Sequence, residues 1–448
     1  MIELEFVPNR AALLADQDNT LDVLLHIKGP AVPEAPRDRL PLNLAIVIDR
    51  SGSMSGLPLA EAKRCAATIV DGLSAKDWAS IVVYDHAADV LVASRAADDK
   101  DVFHAALRAI ESRGNTALHT GWLAGAEQAA RHQNGRILSR VLLLSDGCAN
   151  AGLCDISAIA RHCAEMADAG VGTSTYGLGA RFNEELMTAM ARAGQGNAYY
   201  GSTAEDLMDP FRQEFELMSA LCARGLRLAF TCPPDVGIEI VNGYRTDAAG
   251  CSMLPDLAYG SEAWALLRLK VPRGVTEIDG AGDVLLLTAR LACTDLDGRA
   301  ANSEPVHLRL PRVHADAFAA IVVNDLVSSR AAELNAAALQ EQARSAAQRG
   351  DWNHVQHLLE ELRAQAVSSP WLSASIAELE AYASRREREL FSKEALYKAE
   401  AMRRRLAALD EQQTWSPDRE AEKPWFVQRK LVQGRRFGGP RENLDHDD

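Results

Sequence analysis

The chain has 448 residues, 47% of them hydrophobic and 25% charged, an ordinary balance for a globular protein with room for several cores. Its 48 basic and 62 acidic residues leave a net charge of −14, which argues against general binding to phosphate backbones. No apolar run approaches the ~18 residues of a membrane span, and Met1-Ile2-Glu3-Leu4-Glu5-Phe6 has neither the basic start nor the apolar stretch of a secretory signal. Eight scattered cysteines without a C-x-x-C pair then read as reduced thiols, and the expected location is the cytoplasm.

The predicted elements fall into five segments. Residues 1–40 carry two strand-like runs, 2–6 and 21–28, and then a proline-rich connector from Gly29 to Pro41. Residues 41–221 alternate short apolar runs (Leu42–Ile48, Ala79–Tyr84, Val90–Ala93, Val141–Leu144, Val171–Leu178, Ala198–Tyr200) with helical patterns such as Leu59–Leu73 and Gly121–Arg131. Several runs are apolar at consecutive positions, as strands buried on both faces must be. This alternation predicts an α/β unit with a doubly wound, mostly parallel sheet.

Residues 222–312 return to strand-like runs separated by turn residues. Five strands are few for a sandwich, and the two N-terminal strands would complete it. The reading is a discontinuous antiparallel β-sandwich with the α/β unit inserted into it. Residues 313–410 are helical: an Ala-rich helix over Ala315–Gly350 with Gly350 as C-cap, a second helix N-capped by Asp351, and a third running from Pro370 past Leu406. Gln348-Arg349-Gly350-Asp351-Trp352 is similar to the corner of a tetratricopeptide-type pair, but one pair is not an array, so a plain helical hairpin or bundle is the reading. The tail, 411–448, holds Lys423, Arg429, Lys430, Arg435, Arg436 and Arg441 interleaved with Trp425, Phe426 and Phe437, and ends on Asp445, Asp447 and Asp448. It reads as a flexible basic and aromatic segment able to dock on the acidic body or on a neighbouring copy, which would make it a route to self-association.

The sharpest chemical signal follows the first buried strand: Asp49-Arg50-Ser51-Gly52-Ser53-Met54, an Asp-x-Ser-x-Ser pattern at a strand end. In open α/β sheets that edge is where ligands bind. Arg113-Gly114-Asn115-Thr116 offers a third hydroxyl, and Ser145-Asp146-Gly147 a second carboxylate, at the same edge of a parallel sheet. Asp49, Ser51, Ser53, Thr116 and Asp146 are all hard oxygen donors, suited to Mg²⁺, with Mn²⁺ or Ca²⁺ as substitutes, rather than to zinc.

This spaced triple of motifs resembles the metal-ion-dependent adhesion site of von Willebrand factor A domains. The resemblance covers about residues 42–220, and the stretch Ser145–Asp155 and the run Ala204-Glu205-Asp206-Leu207 are similar to bacterial members and to inter-α-trypsin-inhibitor heavy chains. It implies that Ser51 and Ser53 bind the ion directly, that Thr116 does so in the ligand-occupied form, and that Asp49 and Asp146 act largely through water. Mostly neutral ligands leave the metal much of its charge and one position open for a partner's Asp or Glu. The implied role is a metal-dependent protein–protein interaction module, a scaffold or adaptor and not an enzyme. Met54, Asn115, His119 and Cys148 are the expected rim against the partner.

Two rival readings compete with this one. Haloacid-dehalogenase-type phosphatases place a nucleophilic Asp after the first strand, yet they need a second Asp two residues later, where this chain has Ser51. Alternatively, the metal only braces the loops. Cys148, Cys154 and Cys163, with spacings of six and nine, lack a metal-ligand pattern.

Overall fold

The computed structural model describes residues 2–31, 39–134, 136–146, 149–178, 183–201, 207, 211, 214, 215, 218–275, 283–365, 370–404, 407 and 408. It divides into two compact units, one running from the N-terminus through Leu334 and another over Asn335–Met402.

In chain order, the first unit contains β1 (Glu3–Pro8), β2 (Leu13–Leu14), β3 (Asn19–Lys28), β4 (Leu42–Asp49), α1 (Leu57–Gly72), β5 (Trp78–Tyr84), β6 (Ala88–Ala96), α2 (Lys100–Arg108), α3 (Leu118–Ala130), β7 (Leu138–Ser145), α4 (Ile156–Asp168), β8 (Val171–Leu178), α5 (Glu184–Ala193) and β9 (Gln195–Gly201). Then come β10 (Leu221–Thr231), β11 (Gly237–Ile240), β12 (Ser252–Met253), β13 (Leu257–Ala258), β14 (Ser261–Val271), β15 (Val284–Thr294), β16 (Ala300–Asn302), β17 (Val306–Leu310), β18 (Arg312–Val313) and α6 (Ala315–Ala320).

β4 and β7 are buried at every position, as the centre of a sheet covered on both faces requires. The strand order is β6-β5-β4-β7-β8-β9, all parallel except the edge strand β6. One covering layer is α1, whose Leu59, Ala62, Cys65, Ala66, Ile69 and Val70 recur at helical spacing and face inward. On α3, Gly121 and Gly125 stand one turn apart where the helix meets Tyr84 and Val47; a Cβ there would come within 2.3 Å and 2.2 Å of those side chains. The two glycines let this helix lie closer to the sheet than a side chain would permit.

The chain leaves an antiparallel sheet after β3 and returns at β10, so the α/β unit is inserted. One sheet runs β1-β3-β14-β11, and the facing one is built on β12-β10-β15-β16 with β17 also on β15. Their inner faces share a core that includes Val23, Leu25, Leu226, Leu228, Leu267, Leu269, Leu287 and Leu291. The insertion is tied back by Arg224 Nη1, which donates to the Ile137 carbonyl at 3.1 Å, and by Arg140, 3.8 Å from Asp256. Arg140 also pairs with buried Glu214 at 2.6 Å, and Glu214 takes the Tyr176 hydroxyl at 2.8 Å. Among the described residues no helix is long and apolar enough to cross a membrane.

The helical region corrects two boundaries. The Ala-rich helix is interrupted after Ala320 and restarts as α7 (Asp325–Gln348), because the Asn324 side chain caps the Val327 N–H at 3.2 Å. The helix from Pro370 is two helices, α9 (Pro370–Ser384) and α10 (Arg388–Arg404), after α8 (Trp352–Gln365). Arg386 at φ +54° turns the chain between them. Gly350 at φ +77° ends α7, and Asp351 caps the His354 N–H at 3.1 Å. Leu358, Leu362, Leu372, Ile376, Leu379 and Phe391 lie in the core of this second unit. The tail from 411 lies outside the described residues.

Candidate metal centre

β4 pairs with β5 on one side and β7 on the other, and the chain passes from β4 through α1 to β5 before crossing back to β7. Connections that depart in opposite directions leave a crevice at the C-terminal ends of the strands. Asp49 ends β4 at that crevice, Ser145 ends β7, and Asp146 follows it.

The geometry is built from Asp49 outward. Its Oδ1 accepts the Ser51 N–H at 2.8 Å, an Asx turn that folds the serine loop back over the strand end. Its Oδ2 accepts the Ser145 hydroxyl at 2.7 Å. The Tyr84 hydroxyl lies 3.1 Å from the same oxygen and 2.9 Å from Ser145 Oγ. Asp49, Ser145 and Tyr84 are all fully buried. Burial is the largest influence on the Asp49 carboxyl and pushes its pKa above the ordinary range; the bonds from Ser51 and Ser145 oppose this, and the neighbouring charge of Asp146 reinforces it. Two buried carboxylates of like charge are thus close enough to repel.

The serine loop holds its hydroxyls together, with Ser51 Oγ and Ser53 Oγ 3.1 Å apart. Octahedral ligands at ~2.1 Å from Mg²⁺ are about 3.0 Å apart when adjacent, so these two oxygens already have the spacing of neighbouring ligands. The loop is tied to the threonine loop through main chain alone: Gly52 N–H to the Gly114 carbonyl at 3.1 Å, and Arg113 N–H to the Arg50 carbonyl at 2.7 Å. Gly114, at φ +74°, packs where a Cβ would meet His86 at 2.9 Å. The Thr116 N–H donates to Asn150 Oδ1 at 2.9 Å, and the Thr116 carbonyl accepts the N–H groups of Asn150 and Ala151 at 3.1 and 3.2 Å. The three sequence motifs therefore meet at one strand edge. The cations of the loops are directed elsewhere: Arg50 and Arg113 both bind Asp85 and Asp89 beside the site.

The expected rim is only partly at the surface. Asn115 is exposed. Met54 is a correction: it is fully buried in the core beneath the serine loop and cannot touch a partner. His119 is half-buried and hydrogen-bonded to His162, and Cys148 lies outside the described residues. Sequence reasoning missed Tyr84, Ser145 and Asn150, which orient the donors. The position of Ser145 beside Asp146 was a usable signal, whereas the register that sets Tyr84 opposite Asp49 is seen only in the structure.

The family description "von Willebrand factor type A domain" matches residues 43–213. Those residues form a von Willebrand factor type A domain. An uncharacterized Synechocystis protein, sll0103, is 30% identical over 203 residues, 45% of this chain and 48% of the relative. The chain spans about half or less of the length of the curated relatives it matches. Two solved structures share the architecture beyond the A domain. A von Willebrand factor type A protein from Catenulispora acidiphila has a TM-score of 0.68 at 17% identity, covering 84% of this chain and 89% of that one. The ArnB paralog VWA2 from Sulfolobus acidocaldarius has a TM-score of 0.61 at 17% identity, covering 90% and 98%. A domains generally mediate protein–protein interaction.

Proposed function

We infer that the A domain of this protein binds one divalent cation, Mg²⁺ with Mn²⁺ or Ca²⁺ as substitutes, and uses it to hold an Asp or Glu of a protein partner. The observation that carries this reading is the pair of serine hydroxyls at ligand spacing beside two buried carboxylates. Ser51, Ser53 and Thr116 would hold the ion, with Asp49 and Asp146 supplying negative charge behind them. A bound dication there offers Lewis acidity and charge to an incoming carboxylate. The protein's own part is to fix its hydroxyls in advance and to keep Arg50 and Arg113 engaged with Asp85 and Asp89, so that neither guanidinium competes for the spot.

Recognition, not catalysis, is the proposed role. Ser51 occupies the place where a phosphatase of similar layout has its proton-shuttling carboxylate, and a hydroxyl does not do that work near neutral pH. The bracing role is disfavoured because main-chain hydrogen bonds already join the serine and threonine loops directly. The test is a pull-down with the full chain as bait in Mg²⁺, in EDTA, and as the Ser51→Ala/Ser53→Ala variant, with melting curves alongside. The reading expects partners lost in EDTA and in the variant while the fold persists. Partners indifferent to both would refute it, and unfolding of the variant would restore the bracing role.

A further inference from the structure

A cavity of about 350 Å³ lies at the opposite end of the strands from the oxygen donors, between the inserted α/β unit and the β-sandwich. The α/β wall is made by the first residues of three strands: Ser139 and Arg140 of β7, Gly172 of β8 and Gln195 of β9. A Cβ on Gly172 would lie 3.2 Å from Arg140 Nε, so the missing side chain makes room for the guanidinium. β10 contributes Arg224 and Arg227. At ~3.3 Å per strand residue, Ser139 stands about 20 Å from Ser145, which sets this cavity apart from the oxygen site.

Three buried donors of the α/β wall, Ser139 Oγ, Arg140 Nε and Gln195 Nε2, have no hydrogen-bond partner among the described residues. Ser139 and Arg140 are more than nine-tenths buried, where a donor without an acceptor is costly. Gln195 is held at φ +54°, a conformation that glycine takes freely and a longer residue resists. Strained residues of this kind cluster at ligand sites. The charges of the wall are also uneven. Glu214 answers Arg140 at 2.6 Å, and Arg245 takes Asp168, also in the wall, at 2.5 Å. Asp256 then serves both Arg140, at 3.8 Å, and Arg224, while Arg227 reaches Asp247 only at 3.8 Å. Burial holds the Arg224 guanidinium below the ordinary arginine range, and Asp256 and Asp295 offset this only in part. Water can accept from a buried donor but brings no negative charge.

We propose that this cavity binds a small organic phosphate, with the phosphate group held between β7, β9 and β10. A phosphate supplies both things the wall lacks: acceptor oxygens for Ser139, Arg140 and Gln195, and charge for Arg224 and Arg227. The volume stands at the lower end of small-molecule sites, and Met253, Ala292 and Ala301 offer an apolar surface to the rest of the molecule. A ligand that touches β7 and β10 together fastens the insertion to the sandwich.

Calorimetry on the full chain in EDTA, where no metal at the oxygen site can capture the anion, tests the proposal with inorganic phosphate and with phenyl phosphate. Each should bind one equivalent per chain, phenyl phosphate about tenfold more tightly because its ring is buried. Gln195→Gly should weaken both about tenfold without lowering the melting temperature of the ligand-free protein, because glycine suits φ +54°. Arg227→Ala should weaken both to a smaller extent. A measurement that needs no variant is alkylation of wild-type thiols, read by peptide mass spectrometry. Phenyl phosphate should slow the reaction of Cys293, which lines the cavity, and leave that of the exposed Cys154 unchanged. No uptake, uptake that Gln195→Gly leaves as strong, or alkylation of Cys293 at an unchanged rate would overturn the proposal.

Discussion

Gly121→Ala is a perturbation in which two opposing effects can be weighed. Alanine in a helix interior is favoured over glycine by about 1 kcal/mol, so propensity alone predicts stabilisation. The structure predicts the reverse. The new Cβ would lie 2.3 Å from two ring carbons of Tyr84 and 2.7 Å from its Cβ. Ordinary carbon contacts begin near ~3.5 Å, so helix or ring must shift by roughly 1 Å. Tyr84 has nowhere to retreat, being fully buried with its hydroxyl between Asp49 and Ser145. Overpacking of this kind costs about 1–3 kcal/mol, and the loss of a hydrogen bond to a charged acceptor about 1.5–3 kcal/mol more. The net expectation is a destabilisation of about 3 kcal/mol, with Mg²⁺ affinity about tenfold weaker because Asp49 loses its orientation. Urea denaturation with and without Mg²⁺, and calorimetric Mg²⁺ titration, read the two quantities. A variant as stable as the wild type, with unchanged Mg²⁺ binding, would refute the idea that glycine sets the helix–sheet spacing under the site.

Other perturbations test the frame. Glu214→Ala leaves the buried Arg140 guanidinium with only its 3.8 Å contact to Asp256 and is expected to cost about 3 kcal/mol, whereas Arg140→Met/Glu214→Leu should recover most of it, in the urea midpoint. Acid sensitivity should centre on the Asp85 cluster. Burial pushes that carboxyl up, but hydrogen bonds from Arg113, Arg50 and the Ala87 N–H outweigh it and hold the pKa at about 2, below the ordinary 3.8. Asp77 is also held low: burial opposes, and the Arg39, Leu42 and Ser74 donors prevail. The contribution of each is present above about pH 4 and is lost as pH falls through its folded value, about 2 for Asp85, so Asp85→Asn should flatten the acid limb of the stability curve.

Much of the site was visible in the sequence because its parts are local. An acid or hydroxyl directly after an apolar run marks a strand end, as Asp49 does after Ile48 and Ser145 after Leu144, and Ser51, Ser53 and Asp146 follow within four residues. Thr116 needed the assumption of a parallel sheet. Tyr84, Ser145 and Asn150 were missed because their roles depend on register and on contacts between loops distant in sequence, which no periodicity encodes. Met54 was misread since proximity to the serines says nothing about direction, and a one-turn 3₁₀ segment, Gly52–Met54, turns it inward. Gly121 and Gly125, one helical turn apart, were a legible sign of close packing that apolar counting alone passes over. In the helical region composition overruled punctuation: alanine-rich stretches flank the break at Asn324, and the charged run hides the turn at Arg386.

The account stands on a single ion at the strand edge, and direct titration of the full chain with Mn²⁺, followed by water-proton relaxation and competed with Mg²⁺, tests that most directly. It predicts one strong site per chain, displaced by Mg²⁺ and abolished in Ser51→Ala/Ser53→Ala and in Asp146→Ala. No uptake, or uptake indifferent to those substitutions, would contradict it.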